Sequence, residues 1–201
     1  GINLEDIKAP ECFYIEKKLK EKLTIPVFHD DQHGTAIIVG AAIINGLKVV
    51  GKNLRDVRLV CSGAGAAAIA CLNLLLTLGI KKENIIVCDS KGVISTSRAG
   101  TLNENKAVYA SDTEFVSIDQ AMKNADSVLG LSGPGTIKKQ WIAEMADKPL
   151  VLALANPIFT TKVFLPLSLS LVISRMLFML STDVLISPTK VAIQITSHSK
   201  T

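Results

Sequence analysis

The chain has 201 residues, of which 48% are hydrophobic and 20% are charged, and this composition is typical of a globular protein with a buried core. It excludes collagen-like, disordered and disulfide-scaffold proteins. Aromatic residues make up only 4% of the chain, and the abundant small and aliphatic residues favour helices packed closely on a buried parallel sheet. The net charge of +4 is not concentrated in a basic cluster, so we predict no nucleic-acid partner.

Helix-like and strand-like segments alternate along the chain, as judged from the spacing of apolar residues and from turn-forming residues between them. The predicted helices cover residues 10–23, 35–50, 66–78, 118–123 and 137–145. The predicted strands cover residues 25–28, 57–61, 84–88, 127–131 and 150–154, with a polar loop at 30–34. This alternation predicts an α/β fold with a doubly wound parallel sheet of the Rossmann type.

The cysteine pattern predicts a reducing compartment. The four cysteines (Cys12, Cys61, Cys71 and Cys88) show no CxxC spacing, and three of them lie in apolar runs, where a free cysteine behaves as a small buried hydrophobe. Since no basic segment followed by an apolar one is visible at the start of the chain, we also expect no secretory signal. The predicted location is cytoplasmic.

The composition changes abruptly after Asn156-Pro157. Residues 158–201 contain no Gly, Asn or Glu, which sets them apart as an atypical tail, and a shift of reading frame in the source gene is one hypothesis for their origin. The apolar run at 163–180 is interrupted by Pro166 and Arg175. Because about 20 predominantly apolar residues are needed to cross a bilayer, we predict no association with a membrane.

A glycine loop follows the predicted strand at 57–61. Gly63, Gly65 and Ala68 form a G-x-G-x-x-A pattern at the start of the next helix. In such a loop the first glycine permits a tight turn, the second lets the backbone approach a pyrophosphate, and the small third residue packs against the strand. The helix N-terminus then offers free N–H groups to the phosphates. The pattern predicts dinucleotide binding, although a small-residue turn without a nucleotide remains the alternative.

An acidic residue, Asp89, ends the next predicted strand, about 20 residues beyond the loop, where a carboxylate can accept hydrogen bonds from ribose hydroxyls. Lys91 and Arg98 follow it. A cation near the acid can neutralise a 2′-phosphate, so both NAD and NADP stay open as cofactors. Lys91 is equally well explained as a solvated loop lysine.

Two acidic pairs form a second candidate site. Glu5-Asp6 precede the first predicted helix, and Asp30-Asp31 follow the first predicted strand. Carboxylate oxygens favour a hard cation such as Mg²⁺ or Mn²⁺. Because His29 and His33 flank the second pair, a histidine-rich transition-metal site is an alternative, as are ordinary helix-capping and turn roles.

Six segments, at residues 5–13, 25–36, 63–68, 89–92, 131–135 and 153–157, resemble the bacterial malic enzymes in order. The resemblance covers residues 3–157. It implies the end of an N-terminal domain at 1–33, an NAD(P)-binding domain of the Rossmann type at 34–157, and a departure from the family at 158–201. These enzymes oxidise L-malate with NAD or NADP and decarboxylate the product to pyruvate with the help of a divalent cation, Mg²⁺ or Mn²⁺.

The resemblance also implies residue roles. The implied metal ligands are Glu5, Asp6 and Asp31, with Asp30 as an acid beside them. The implied pyrophosphate loop contains Ala64, Ala66 and Ala67 together with the two glycines. Asn156 is implied to contact the substrate or the nicotinamide. A homo-oligomeric full-length enzyme with malate as a small-molecule substrate follows from the same resemblance.

Two departures from the family bear on activity. The Lys and Tyr that serve as base and acid in the family precede the matched segment, and the downstream Asn-rich motif has no counterpart in residues 158–201. We therefore expect this chain to bind a dinucleotide without turning over malate. The alternatives are a non-catalytic dinucleotide-binding module, a degenerate gene product and a decarboxylase of the malolactic type.

Overall fold

The computed structural model describes residues 1–133 and 135–154 in full, and residues 182–187 and 190–195 as backbone strands. Asn156 and the apolar run at 163–180 lie outside the described residues. The predictions made for them therefore stay predictions.

The helices and strands predicted from the sequence are all present, with boundaries that differ from the prediction by at most two residues, and the structure adds several short elements. The helices are α1 Glu11–Lys22, α2 Thr35–Val50, α3 Ala66–Leu78, α4 Glu104–Ala107, α5 Ile118–Met122 and α6 Lys139–Ala143. The strands are β1 Ile2–Leu4, β2 Val27–His29, β3 Leu59–Ser62, β4 Ile85–Asp89, β5 Gly92–Val93, β6 Ser127–Gly130, β7 Leu150–Ala153, β8 Thr182–Ser187 and β9 Lys190–Ile195.

The main sheet has the strand order β5-β4-β3-β6-β7-β9-β8. The central strands β4, β3, β6 and β7 are parallel, β5 joins one edge antiparallel, and β9 and β8 extend the other edge. A separate small sheet pairs β1 with β2 in parallel. Strand β3 is flanked by β4 on one side and β6 on the other, so the chain reverses its winding direction there. The predicted α/β fold of the Rossmann type is confirmed.

Helices cover both faces of the central strands. Every residue of β3 and β6 is buried, as expected of strands in a parallel sheet with helices on each side. Residues of α2 and α3 form the core on one face, and residues of α5 and α6 form it on the other. The helical segment Asp30–Val50 is long and apolar enough to cross a membrane, but α2 buries one side against α3 and the sheet, as a core helix does.

One prediction of local structure was wrong. The segment Asp30–Gly34, predicted as a polar loop, forms a single π-helical turn that continues into α2. The Thr35 amide donates to the carbonyls of Asp30 and Gln32, which joins the turn to the helix. The polar side chains of Gln32 and His33 are satisfied inside the protein by Glu16 of α1, so the segment packs as helix despite its polar sequence.

Candidate functional site

The glycine loop lies where β3 reverses the winding direction, at the carboxyl ends of the strands. Gly63 has φ +119°, and a Cβ there would lie 2.8 Å from the backbone carbonyl of Leu131. Only a glycine fits this left-handed conformation so close to the end of β6. The turn is fixed further by the Gly63 amide, which donates to the Cys88 carbonyl at 2.8 Å. Gly63 is therefore the residue that allows the loop to adopt its tight turn.

Gly65 has a different role, because a Cβ there would meet nothing within 4 Å. It is the residue before the first turn of α3, and no side chain caps that helix end. The first amides of a helix have no intrahelical acceptor, and they carry its positive dipole. The open space at Gly65 thus leaves the uncapped amides at the start of α3 accessible to an anionic group.

A cleft of about 730 Å³ opens over this loop, within the volume range of small-molecule and cofactor sites. Among the predicted cofactor residues, Gly63, Ala64, Gly65 and Asp89 line it. Further lining residues come from the start of α1, from α4 and the residue before it, from the residue before α5 and from the segment after β6: Pro10, Phe13, Asn103, Asn105, Lys106, Ser117, Leu131, Ser132 and Thr136. The structure therefore gathers the loop and the acid around one cleft.

Asp89 is the last residue of β4, and its carboxylate forms an ion pair with the Arg98 guanidinium. The Arg98 Nη2 donates to both carboxylate oxygens of Asp89, at 3.0 and 2.9 Å, and the Lys91 amide donates to Oδ1 at 2.9 Å. Arg98 Nη1 is held in turn by the Val93 carbonyl at 2.7 Å. The guanidinium is therefore fixed beside the acid at the end of β4.

Lys106 is a cleft residue that the sequence did not point to. It lines the cleft from the short helix α4, whereas Lys91 is not among the described lining residues. Lys91 contacts Asp89 through its backbone amide. A helix of four residues has too little periodicity to be predicted, so no sequence signal marked Lys106.

A chain of hydrogen-bonded hydroxyl groups lines the cleft at the ends of β3 and β6. The Oγ atoms of Ser62 and Ser132 lie 2.8 Å apart, and Ser132 Oγ donates to Thr136 Oγ1 at 2.9 Å. Thr136 donates to the Gly133 carbonyl. These groups lie at the carboxyl ends of the central strands, on the side of β3 away from Asp89.

The two acidic pairs are brought together by the small sheet. Leu4 is paired with His29 in the parallel register of β1 and β2, so Glu5-Asp6 and Asp30-Asp31 leave the same end of adjacent strands. Asp6 has φ 56°, and its amide donates to Asp31 Oδ2 at 2.8 Å. The backbone thereby places Asp31 beside Asp6.

The carboxylates of the two acidic pairs are not arranged around a common point within the described residues. Within the described residues, no group of three or more His, Cys, Asp and Glu side chains is arranged to hold a metal ion. The Asp30 carboxylate lies over Gly34, where a Cβ would collide with it, while Asp31 faces Asp6. None of these acids is among the described residues that line the cleft.

The two histidines beside the acidic pair have separate surroundings. His29 is fully buried with Nδ1 4.0 Å from Asp31 Oδ2, and neither ring nitrogen has a hydrogen-bond partner among the described residues. His33 lies instead against Glu16, with Nε2 2.7 Å from Oε1. The two histidines have no common partner among the residues that the structure describes, which adds no support for the histidine-rich alternative.

Comparison with known proteins places this site in a family. A sequence profile described as "Malic enzyme, NAD binding domain" matches residues 32–164. The NADP-dependent malic enzyme of Salmonella typhimurium is 61% identical over 158 residues, which are 78% of this chain and 21% of that protein. The NAD-dependent malic enzyme of Rhizobium meliloti is 56% identical over 157 residues, which are 78% of this chain and 20% of that protein.

A solved structure agrees with the sequence matches. The NAD-dependent malic enzyme of Thermotoga maritima has a TM-score of 0.73 and 41% identity, covering 79% of this chain and 43% of that one. The chain spans about a fifth of the length of the two curated relatives above. Because the profile match includes the glycine loop, Asp89 and every lining residue of the cleft except Ala9, Pro10 and Phe13, the predicted resemblance is confirmed, and the chain belongs to the malic enzyme family.

Proposed function

We propose that this chain is the dinucleotide-binding part of an enzyme that oxidises L-malate with NAD or NADP and decarboxylates the product to pyruvate. The observation that carries the proposal is the glycine loop, whose uncapped helix end opens into a cleft that Asp89 also lines, with Arg98 paired to Asp89. The pyrophosphate lies against the amides of Gly65 and Ala66, and the adenosine ribose lies toward Asp89. The nicotinamide half then extends toward Leu131 and Ser132.

We further propose that Glu5, Asp6 and Asp31 bind Mg²⁺ or Mn²⁺ with Asp30 as an adjacent acid. The support is that β1 and β2 bring these residues to one place and that their donors are carboxylate oxygens, which suit a hard cation. When bound, such a cation stabilises negative charge on the malate hydroxyl oxygen and on the enolate left by decarboxylation. Asp31 is held for this role by the Asp6 amide.

A homo-oligomeric full-length enzyme and a cytoplasmic location complete the proposal. The location is supported by the four cysteines, which are all free and buried, as is usual in reducing compartments.

A non-catalytic dinucleotide-binding module is the second candidate. It is favoured because the described residues form a cleft around the glycine loop, whereas the acidic side chains among them, although close in the fold, are not arranged to hold an ion. The two candidates differ in whether malate is consumed.

We expect the 201-residue chain to bind NADH or NADPH but to release no product from malate, because the resemblance implies that the proton-transferring Lys and Tyr of the family precede the segment matched here. Losing a general acid or base costs about 10²–10⁴ in rate, and losing both removes measurable turnover. Nucleotide fluorescence measures binding, and absorbance with malate and Mn²⁺ measures turnover, with pyruvate and lactate assayed separately. Absence of dinucleotide binding contradicts the proposed site, and turnover near that of a complete malic enzyme contradicts the expected inactivity.

Replacing Asp89 is expected to change the choice of cofactor. In Asp89→Ala the Arg98 guanidinium loses its carboxylate partner and becomes available to a 2′-phosphate, so the affinity for NADPH should rise relative to NADH by about tenfold. Asp112→Ala, which makes the same charge change outside the cleft lining, is the control. Titration of each variant with both nucleotides measures the ratio. Equal losses for both nucleotides would mean that Asp89 does not discriminate between them.

A further inference from the structure

The π-helical turn that carries the acidic pair is supported by side chains from outside it. Asp30 and Asp31 begin the turn, and Gln32 and His33 follow them directly. A π-helical turn is rare and its hydrogen bonding is irregular, so its shape depends on contacts with neighbouring elements. Helix α1 provides such contacts.

Glu16 of α1 binds the two residues that follow the acidic pair. Its side chain is 10% exposed, with Oε1 2.7 Å from His33 Nε2 and Oε2 3.4 Å from Gln32 Nε2. An ionised carboxylate only accepts hydrogen bonds, so both neighbours donate to it. Lys20 Nζ donates to Oε1 as well, at 2.7 Å, from the more exposed side.

The charge of Glu16 is stabilised by these donors. Burial acts to raise the pKa of its carboxyl, but the hydrogen bonds and positive charge of Lys20 and His33 outweigh burial, and the pKa is lowered. Glu16 is therefore an ionised acceptor held in place by its neighbours, at a position buried between α1 and the turn.

The segment before α1 holds the same turn at a second point. The Asp6 amide donates to Asp31 Oδ2, while Glu16 binds Gln32 and His33. The turn is thus held by a hydrogen bond to Asp31 and by the hydrogen bonds that Glu16 accepts from the two residues after it. Loss of either contact leaves the orientation of the Asp31 carboxylate less defined.

We propose that Glu16 is a positioning residue that orients Asp31 for cation binding by fixing Gln32 and His33. Glu16 itself does not touch the cation or the dinucleotide. The proposal rests on the proposed function in one respect, namely that Asp31 binds Mg²⁺ or Mn²⁺. It predicts that the charge of a residue in α1 controls cation affinity from outside the ligand set.

The test compares three variants of the 201-residue chain. Glu16→Gln keeps the side-chain shape but replaces one carboxylate oxygen with an amide NH₂ group. This group donates hydrogen bonds and cannot accept one from a neighbouring donor. Glu21→Gln makes the same change on the same helix, where Glu21 pairs only with exposed Lys18 at 2.8 Å among the ion pairs of the described residues. Lys20→Met removes the exposed donor and leaves Gln32 and His33 bound to Glu16.

We expect Glu16→Gln to weaken Mn²⁺ binding by about 10–100-fold, the usual effect of losing a group that orients a ligand. Its affinity for NADH should stay within about twofold, since the glycine loop does not use Glu16. Glu21→Gln and Lys20→Met should bind Mn²⁺ as the wild type does. Electron paramagnetic resonance of free Mn²⁺ and NADH fluorescence give the two affinities, and thermal unfolding shows that each variant is folded.

The outcomes separate this proposal from the proposed function. If the wild type binds Mn²⁺ and Glu16→Gln binds it equally well, the positioning role is wrong and the metal site stands. If Glu16→Gln weakens Mn²⁺ and NADH by the same factor, Glu16 acts on the whole fold and the role is again wrong. If the wild type and Glu21→Gln both fail to bind Mn²⁺ while binding NADH, the metal site itself is wrong, and the role of Glu16 with it.

Discussion

Gly65→Val should abolish most dinucleotide binding while leaving the protein folded. The space beyond the Gly65 Cα is open, so a valine enters the cleft without meeting protein atoms, and its branches occupy the place of the pyrophosphate. Losing two charge-assisted hydrogen bonds to the phosphates corresponds to a decrease in affinity on the order of 100-fold or more. The backbone at Gly65, with φ −83° and ψ −173°, is extended and accessible to valine. The change should therefore cost only about 1 kcal/mol of stability.

Gly100→Val provides the matched control. A Cβ at Gly100 also meets nothing within 4 Å, but Gly100 is not among the described residues that line the cleft. Fluorescence or calorimetric titration with NADH and NADPH measures both variants beside the wild type. Unchanged affinity in Gly65→Val would overturn the assignment of the loop.

Gly63→Ala should produce the opposite pattern, a loss of stability. Alanine strains the backbone at φ +119°, and its Cβ would approach the Leu131 carbonyl carbon and oxygen to 2.8 Å. Since these atoms belong to backbone at the end of β6, they cannot move aside as a flexible side chain does. We expect a decrease of about 3 kcal/mol in the free energy of unfolding, which lowers the melting temperature by roughly 6–12 °C.

The measurement for Gly63→Ala is thermal or urea unfolding followed by circular dichroism. Gly65→Ala is the control, because it adds the same methyl group two residues away in open space. If the two variants unfold at the same temperature, the close approach of Gly63 to Leu131 does not limit stability.

Much of the fold could be predicted because its signals are local. Helix α3 begins at Ala66 and ends at Leu78, as predicted, since glycines bracket an apolar run whose length suits one helix. Strand β4 could be predicted from its apolar run and the acid at its end. By contrast, β1 has three residues and forms only by pairing with β2, so no local periodicity marks it.

The types of residue in the candidate site could be predicted from the sequence, but the contacts between their side chains could not. The loop pattern predicted a tight turn at Gly63 and open space at Gly65, and the structure agrees, with φ +119° at Gly63 and nothing within 4 Å of a Cβ at Gly65. Asp89 was predicted to accept hydrogen bonds from ribose, but its ion pair with Arg98 depends on how β5 and the following segment fold back. The contact of Glu16 with the acidic turn likewise joins residues from separate elements.

The burial of the cysteines has a practical consequence for the chemistry of the native protein. Burial raises the pKa of Cys71 and of Cys88 to about 12, and it raises those of Cys12 and Cys61 as well. At neutral pH only on the order of one in 10⁵ of the Cys71 and Cys88 thiols is then a thiolate, the form that reacts with alkylating reagents. The folded chain should therefore be inert to maleimides. A single Gly100→Cys substitution would create its one reactive thiol, suitable for attaching a fluorophore.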